Sequence, residues 1–215
     1  MKRIFKSLRR WVTRPDRPKP AESKVPAVKP MVDSLPIGPG LIYPDVLPEN
    51  VWGSNLRGIL PRADWDRLRI PVCEAAGMRC EVCGQPGHDP QTGRPRRPDC
   101  HEIWHFEVTS TTAVQRLARL IALCVDCHRL QHIGLANLRG EESLVKMQLK
   151  AVNAWSNDEI DLALENAAER LNWRSRYNWD LDLSLLAGKL QIRGYPCLVI
   201  AAKDRRRLGN SYFTR

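Results

Sequence analysis

Residues 99–134 read DCHEIWHFEVTSTTAVQRLARLIALCVDCHRLQHIG, and the way this stretch folds decides the rest. Residues 100–108 are rich in aromatic and branched side chains, which suit a strand. Residues 114–123 are ambiguous, because their Ala, Leu and Arg content favours helix while an apolar run leading into a cysteine pair favours strand. We read a two-stranded hairpin followed by a short helix over 125–133. Upstream lies CEVCG at 80–84, so two Cys-x-x-Cys pairs, Cys80 with Cys83 and Cys124 with Cys127, flank the hairpin. The short x-x turn lets both sulfurs of a pair point at one ion, and four thiolates at about 2.3 Å make a tetrahedral structural zinc (Zn2+) site. The histidines lie between the pairs and just beyond the second: His101, then His128 and His132, which at i and i+4 share one helix face. Imidazole and carboxylate donors suit a harder divalent ion with a catalytic task better than a second structural zinc.

The chain has 215 residues, enough for one domain of about 100–150 residues with long appendages, or at most two small domains. Seven cysteines, four of them in metal spacing, argue against a secreted disulfide scaffold and for a reducing compartment, with cytoplasm the expected location. No run of roughly eighteen apolar residues exists to span a membrane, and the opening MKRIFKSL lacks the apolar stretch of a secretory signal. The formal net charge is +10, but it sits at the ends: residues 1–30 carry +8, residues 193–215 carry +5, and residues 31–192 carry −3. Basic ends raise affinity for a polyanion and make it salt-sensitive without selecting a sequence.

Residues 2–12 have the spacing of a short basic amphipathic helix, suited to an anionic membrane surface, to nucleic acid or to a partner protein. An Arg-rich, acid-poor start also suits an organelle transit segment and a matrix location. Residues 14–48 hold nine of the prolines and read as a linker, which sets domain limits of 1–48, 49–185 and 186–215. Within the middle unit, residues 61–77 are helical in pattern but interrupted by Pro71, so a kink or two short helices is expected. Residues 84–98 form a Gly/Pro-rich polar loop whose Arg94, Arg96 and Arg97 suit phosphate contacts. Helices follow over 141–155 and from a Ser156–Glu159 capping box to about Arg174. Residues 195–202 suit a short strand. Trp155, Trp173, Trp179, Cys73 and Cys197 read as packing residues.

CEVCG at 80–84, CHEIW at 100–104 and LCVDCHRLQHIG at 123–134 resemble the HNH endonucleases. The flanking NVWGSNLRGIL, DWDRLR and WDLDLS segments resemble the surroundings of that core in bacterial members. The resemblance implies an α+β fold: a small ββα-metal core with a four-cysteine zinc site, flanked by helices, behind a disordered basic and Pro-rich N-terminus. It implies a magnesium or manganese (Mg2+ or Mn2+) ion held by His101, His128 and His132. His101, Glu102 and His128 are then the catalytic residues. In one register His101 is the ligand and Glu102 the general base; in the other His101 is the base and Cys100 the ligand, and the base assignment stays open. Where the family commonly carries Asn, this chain has Arg119, which joins Arg94, Arg96 and Arg97 as a candidate nucleic-acid contact. The implied activity is hydrolysis of phosphodiester bonds in DNA. Two other readings stand beside it: a zinc-stabilised nucleic-acid-binding protein that has lost catalysis, and a structural or partner-binding protein that works through its helices.

Overall fold

The structure, a computed structural model, describes residues 31–205 and Leu208. The amphipathic segment expected at 2–12 and the basic residues 206 and 207 lie outside the described residues. In chain order the elements are β1 (Met31–Asp33), β2 (Ile37–Gly38), β3 (Leu41–Ile42), α1 (Leu56–Ile59), α2 (Arg62–Ala75), β4 (Asp99–Val108) and β5 (Ala113–Leu123). They continue with α3 (Val125–Leu130), α4 (Ile133–Leu138), α5 (Glu142–Asn153), α6 (Asn157–Arg174), β6 (Asp180–Asp182) and β7 (Val199–Ile200). This is a mixed α+β architecture built on the expected hairpin. No helix among the described residues is long and apolar enough to cross a membrane.

β4 and β5 pair antiparallel along their whole length and form the centre of a five-stranded sheet ordered β1-β4-β5-β6-β7. Side chains alternate across a strand, so β4 feeds two cores. Trp104, Phe106 and Val108 join Leu56, Trp65, Leu68 and Trp179 on one face. On the other, Ile103 joins Cys80, Cys124, Cys127, Val145, Leu149 and Ile160. β5 keeps both faces apolar by means of a bulge opposite the Ile103–Trp104 step. Leu117 and Leu120 therefore reach the first core although they are three residues apart, while Ile121 and Leu123 reach the second. The ambiguity of residues 114–123 is resolved as strand because both faces of this central strand are covered, which a near-continuous apolar run satisfies.

Three expectations change. Residues 31–48 are not a free linker: β1 pairs with β4, Ile42 and Val46 are buried, and Asp33 and Asp45 bind the buried Arg174. Proline removes a donor but leaves the carbonyl, and the carbonyls of Tyr43 and Pro44 accept from Gln131 and Arg170. At the other end, residues 186–205 fold back onto the first core through Leu186, Leu190, Leu198 and Ile200, so they are part of the body rather than an extension. Arg205, read as the start of a basic tail, is buried and donates to Ser54 Oγ, Gln115 Oε1 and the Trp179 carbonyl. Finally, residues 62–75 form one continuous helix through Pro71 rather than two short ones, with Trp65 and Leu68 buried before it and Cys73 after it. The capping box that opens α6 is present in both directions, Ser156 Oγ accepting from Glu159 N and Glu159 Oε2 accepting from Ser156 N.

Candidate metal centres

The Cys80–Cys83 knuckle precedes the hairpin, and Cys124 ends β5 and caps α3, which carries Cys127. Gly84 takes a φ of 71°, closing the first knuckle with its N–H on the Cys80 carbonyl at 2.9 Å. The four sulfurs lie within 4.8 Å of one another. Cys83 and Cys124 are 3.6 Å apart, too far for a disulfide and near the edge of about 3.8 Å that a tetrahedron of 2.3 Å metal–sulfur bonds requires. Sulfurs this close cannot stay four independent thiols. Hydrogen bonds from Cys124, then Cys127, draw Cys83 down to about 7 and Cys80 far lower, whereas Cys127 is pushed up, chiefly through Cys124. A cation would take the place of those shared protons, and the donor set fits zinc. Gln148 of α5 donates to Cys127 Sγ at 3.2 Å, a bond that orients and stabilises a thiolate. Cys100 projects from the opposite face of β4, towards the first core, and is no part of this cluster. Cys73 is buried as expected, whereas Cys197 is exposed.

The second centre is a triangle of imidazoles. β4 supplies His101, α3 supplies His128, and His132 follows as the N-cap of α4. The three ring centroids are 4.7, 4.9 and 5.0 Å apart, with interplanar angles of 68° to 88°. His128 Nε2 and His132 Nε2 are 3.1 Å apart, close to the separation of about 3.0–3.4 Å that nitrogens at 2.1 Å from one metal ion would show. Burial, then the charge of His128, pulls His132 down to about 4, and burial followed by the other two rings pulls His101 well below the usual imidazole range. Both are therefore neutral donors near pH 7, the form a metal requires. His101 Nδ1 is buried with no hydrogen-bond partner, which is costly unless a ligand completes it. On the outer side Asp99 Oδ2 stands 3.4 Å from His128 Nδ1, the carboxylate–histidine arrangement that fixes the tautomer and leaves Nε2 to the metal. Burial alone would raise Asp99, but His128, Arg96 and Arg57 outweigh it and hold the carboxyl below its ordinary value.

These residues fit a divalent transition ion. They do not suit the expected magnesium or manganese, because those ions prefer oxygen donors and three imidazole nitrogens favour zinc, copper, iron or nickel.

The other site residues fall elsewhere. Glu102 points away from His101, as neighbours on a strand must; its carboxylate is buried and accepts from Leu56 N at 2.8 Å. Burial pushes that carboxyl up, yet the contact with Leu56 holds it off the triangle, so its surroundings do not suit the expected role of base. Arg119 donates to the Ile37 carbonyl at 3.1 Å and pairs with Glu81 at 3.6 Å. It therefore ties β5 to β2 and the Cys80–Cys83 turn, and is not free for phosphate. Arg94, Arg96 and Arg97 are exposed in a loop ordered by its own hydrogen bonds, and Arg96 also pairs with Asp99. His88 lies 3.7 Å from Asp126, and His105 is on β4 opposite Arg116; neither joins a donor group.

His132 also forms part of the wall of a cleft of about 690 Å3, with Trp52, Asn55, Trp104, Gln131 and Leu135. The cleft wall therefore joins His132 to the turn that opens α1. Compared with known proteins, this chain matches no family model, no curated protein and no solved structure.

Proposed function

We propose that this chain is a metal-dependent endonuclease that hydrolyses phosphodiester bonds in DNA, with a four-cysteine zinc site as its structural staple. The single observation that carries this reading is the meeting of three imidazoles, one from a hairpin strand and two from the segment after it, with His132 in the wall of an open cleft. The order of hairpin, cysteine pair and histidines along the chain resembles the HNH endonucleases and supports the same reading. His101, His128 and His132 would hold the divalent ion. When bound, such an ion neutralises charge on a phosphate oxygen and lowers the pKa of a water beside it. The chain's own part is to hold the three nitrogens converged, to keep His128 in the Nδ1–H tautomer through Asp99, and to fix α3 to the hairpin through the zinc cluster. A second reading, binding without hydrolysis, is favoured by one observation: Glu102 is occupied by Leu56 N–H.

Both are tested by incubating the purified full chain with supercoiled plasmid and one equivalent of zinc, nickel or cobalt. The expected outcome is nicking that chelator abolishes and that drops by about a hundredfold or more in His101→Ala and His128→Ala, while both variants keep the cysteine-bound zinc. Nicking that survived both substitutions would refute the site. Plasmid binding with no nicking under any of these metals would select the second reading.

A further inference from the structure

The cleft of about 690 Å3 is lined for an uncharged ligand: among the described residues of its wall there is no Lys or Arg, and Glu49 is the one acid. Its volume is that of a small-molecule site, about 300–1,000 Å3. Trp52, Leu135 and Leu138 are large apolar side chains left exposed in it. The Trp52 indole is 50% exposed although its Nε1 donates to the Leu47 carbonyl at 3.0 Å. An aromatic surface is thus anchored in the wall with half of it uncovered.

Gln115 of β5 and Gln131 at the end of α3 line the same cleft, although they are only 2% and 6% exposed. Each amide is oriented by a partner that can play one part only. A guanidinium only donates, so Gln115 turns Oε1 to Arg205 Nη2 at 2.7 Å. A backbone carbonyl only accepts, so Gln131 turns Nε2 to the Tyr43 carbonyl at 2.9 Å. This leaves Gln115 Nε2 as a donor and Gln131 Oε1 as an acceptor, each without a hydrogen-bond partner among the described residues. A ligand that brings an acceptor to the first and a donor to the second satisfies both.

We propose that the cleft seats an unpaired nucleobase of a nucleic-acid strand, with its face on Trp52 and its edge on Gln115 and Gln131. Every base carries a donor beside an acceptor on its Watson–Crick edge, and a protein reaches that edge only when the base is out of the duplex. The lack of basic residues fits the same occupant, since a base is uncharged and the phosphates that flank it stay outside the cleft. The polymer class rests on the nuclease reading; what is added is that the strand is single or locally unpaired where it is bound.

The test measures binding apart from cutting. The His101→Ala chain, with its cysteine-bound zinc, is titrated with three fluorescein-labelled probes: a mixed-sequence twelve-base single strand of DNA, its duplex, and the same single strand with its central bases replaced by abasic sites. The intact single strand should bind about tenfold tighter than either of the others. Trp52→Ala should remove about tenfold of that affinity and leave the slope of log K against log salt unchanged, because an indole neutralises no phosphate. Trp52→Phe should keep most of the binding. Gln115→Glu keeps an oxygen for Arg205 and loses the free N–H donor, so it should weaken the intact strand and leave the abasic one unaffected. Equal affinity for single strand and duplex would overturn the proposal. So would equal affinity for the intact and abasic strands, an unchanged affinity in Trp52→Ala, or no binding of the single strand at all. Should Gln115→Glu fold poorly, the abasic strand and the Trp52 variants decide alone. A native chain that never nicks plasmid, paired with the expected losses in Trp52→Ala, refutes the nuclease reading and leaves the base seat standing. Nicking paired with binding that ignores abasic sites does the reverse.

Discussion

At the residue scale, the two centres differ in how their ligands are supported. Each cysteine pair is placed by its own turn, and Gln148 alone reaches in from α5. The histidines depend on neighbours: Asp99 orients His128, and nothing among the described residues completes His101 Nδ1. Removing Asp99 should therefore weaken one centre and spare the other. Asp99→Ala is expected to lower affinity for the histidine-bound ion by about 10- to 100-fold, measured by competition with a graded chelator, while the cysteine-bound zinc is retained. An unchanged affinity would mean that Asp99 serves Arg96 alone. Asp99 was legible in principle, since it lies two residues before His101 and thus on the same face of the strand. Gln148 was not, because 21 residues separate it from Cys127.

At the scale of elements, periodicity and capping signals were reliable where one face is buried and the other wet. The α6 capping box follows from such a signal. The loop over 84–98 reads as merely polar, yet it is a small folded unit: Arg96 N donates to the Gly87 carbonyl at 3.0 Å, Asp89 N to the Arg94 carbonyl at 2.9 Å, and Asp89 Oδ1 receives Gln91 N and Thr92 N. Gly87 is its tightest point, for a Cβ there would stand 2.5 Å from the Arg96 carbonyl oxygen and 2.7 Å from Pro98 N. Backbone cannot yield as a side chain tip would. Gly87→Ala should destabilise the protein by about 1–3 kcal/mol, read as a lower urea midpoint at constant m-value. A midpoint within error of the native chain would show that the loop shifts freely. Of the two outcomes expected at Pro71, two short helices do not form: α2 is continuous through it, with buried residues on both sides.

At the scale of the whole molecule, Arg174 is the join. At 1% exposure it donates to Asp33 Oδ2 at 2.8 Å, to Asp45 Oδ1 at 2.7 Å and to the Val46 carbonyl at 2.8 Å, with its guanidinium 4.1 Å from the Phe106 ring centroid. It thereby fastens residues 31–46, which cover β4 and lead into the cleft wall, to the end of α6. Arg174→Leu would leave two largely buried carboxylates without their partner and should cost about 3–5 kcal/mol. Thermal and urea denaturation of the zinc-loaded protein check this; a loss below about 1 kcal/mol would mean that strand pairing and apolar packing hold the segment unaided.

Local chemistry was enough to mark the two cysteine pairs and the α6 capping box, because spacing along one turn is set by backbone geometry alone; the helix expected over 125–133 instead ends at Leu130, and His132 meets His128 as the N-cap of α4. Only the tertiary structure decided that His101 meets His128 and His132, that Glu102 turns to Leu56, that Arg119 is spent on Ile37 and Glu81, and that residues 31–48 and 186–205 belong to the body. Each of these depends on residues distant in sequence being brought together by a buried core, and a hydrophobic pattern says which residues go inside without saying what they will touch there.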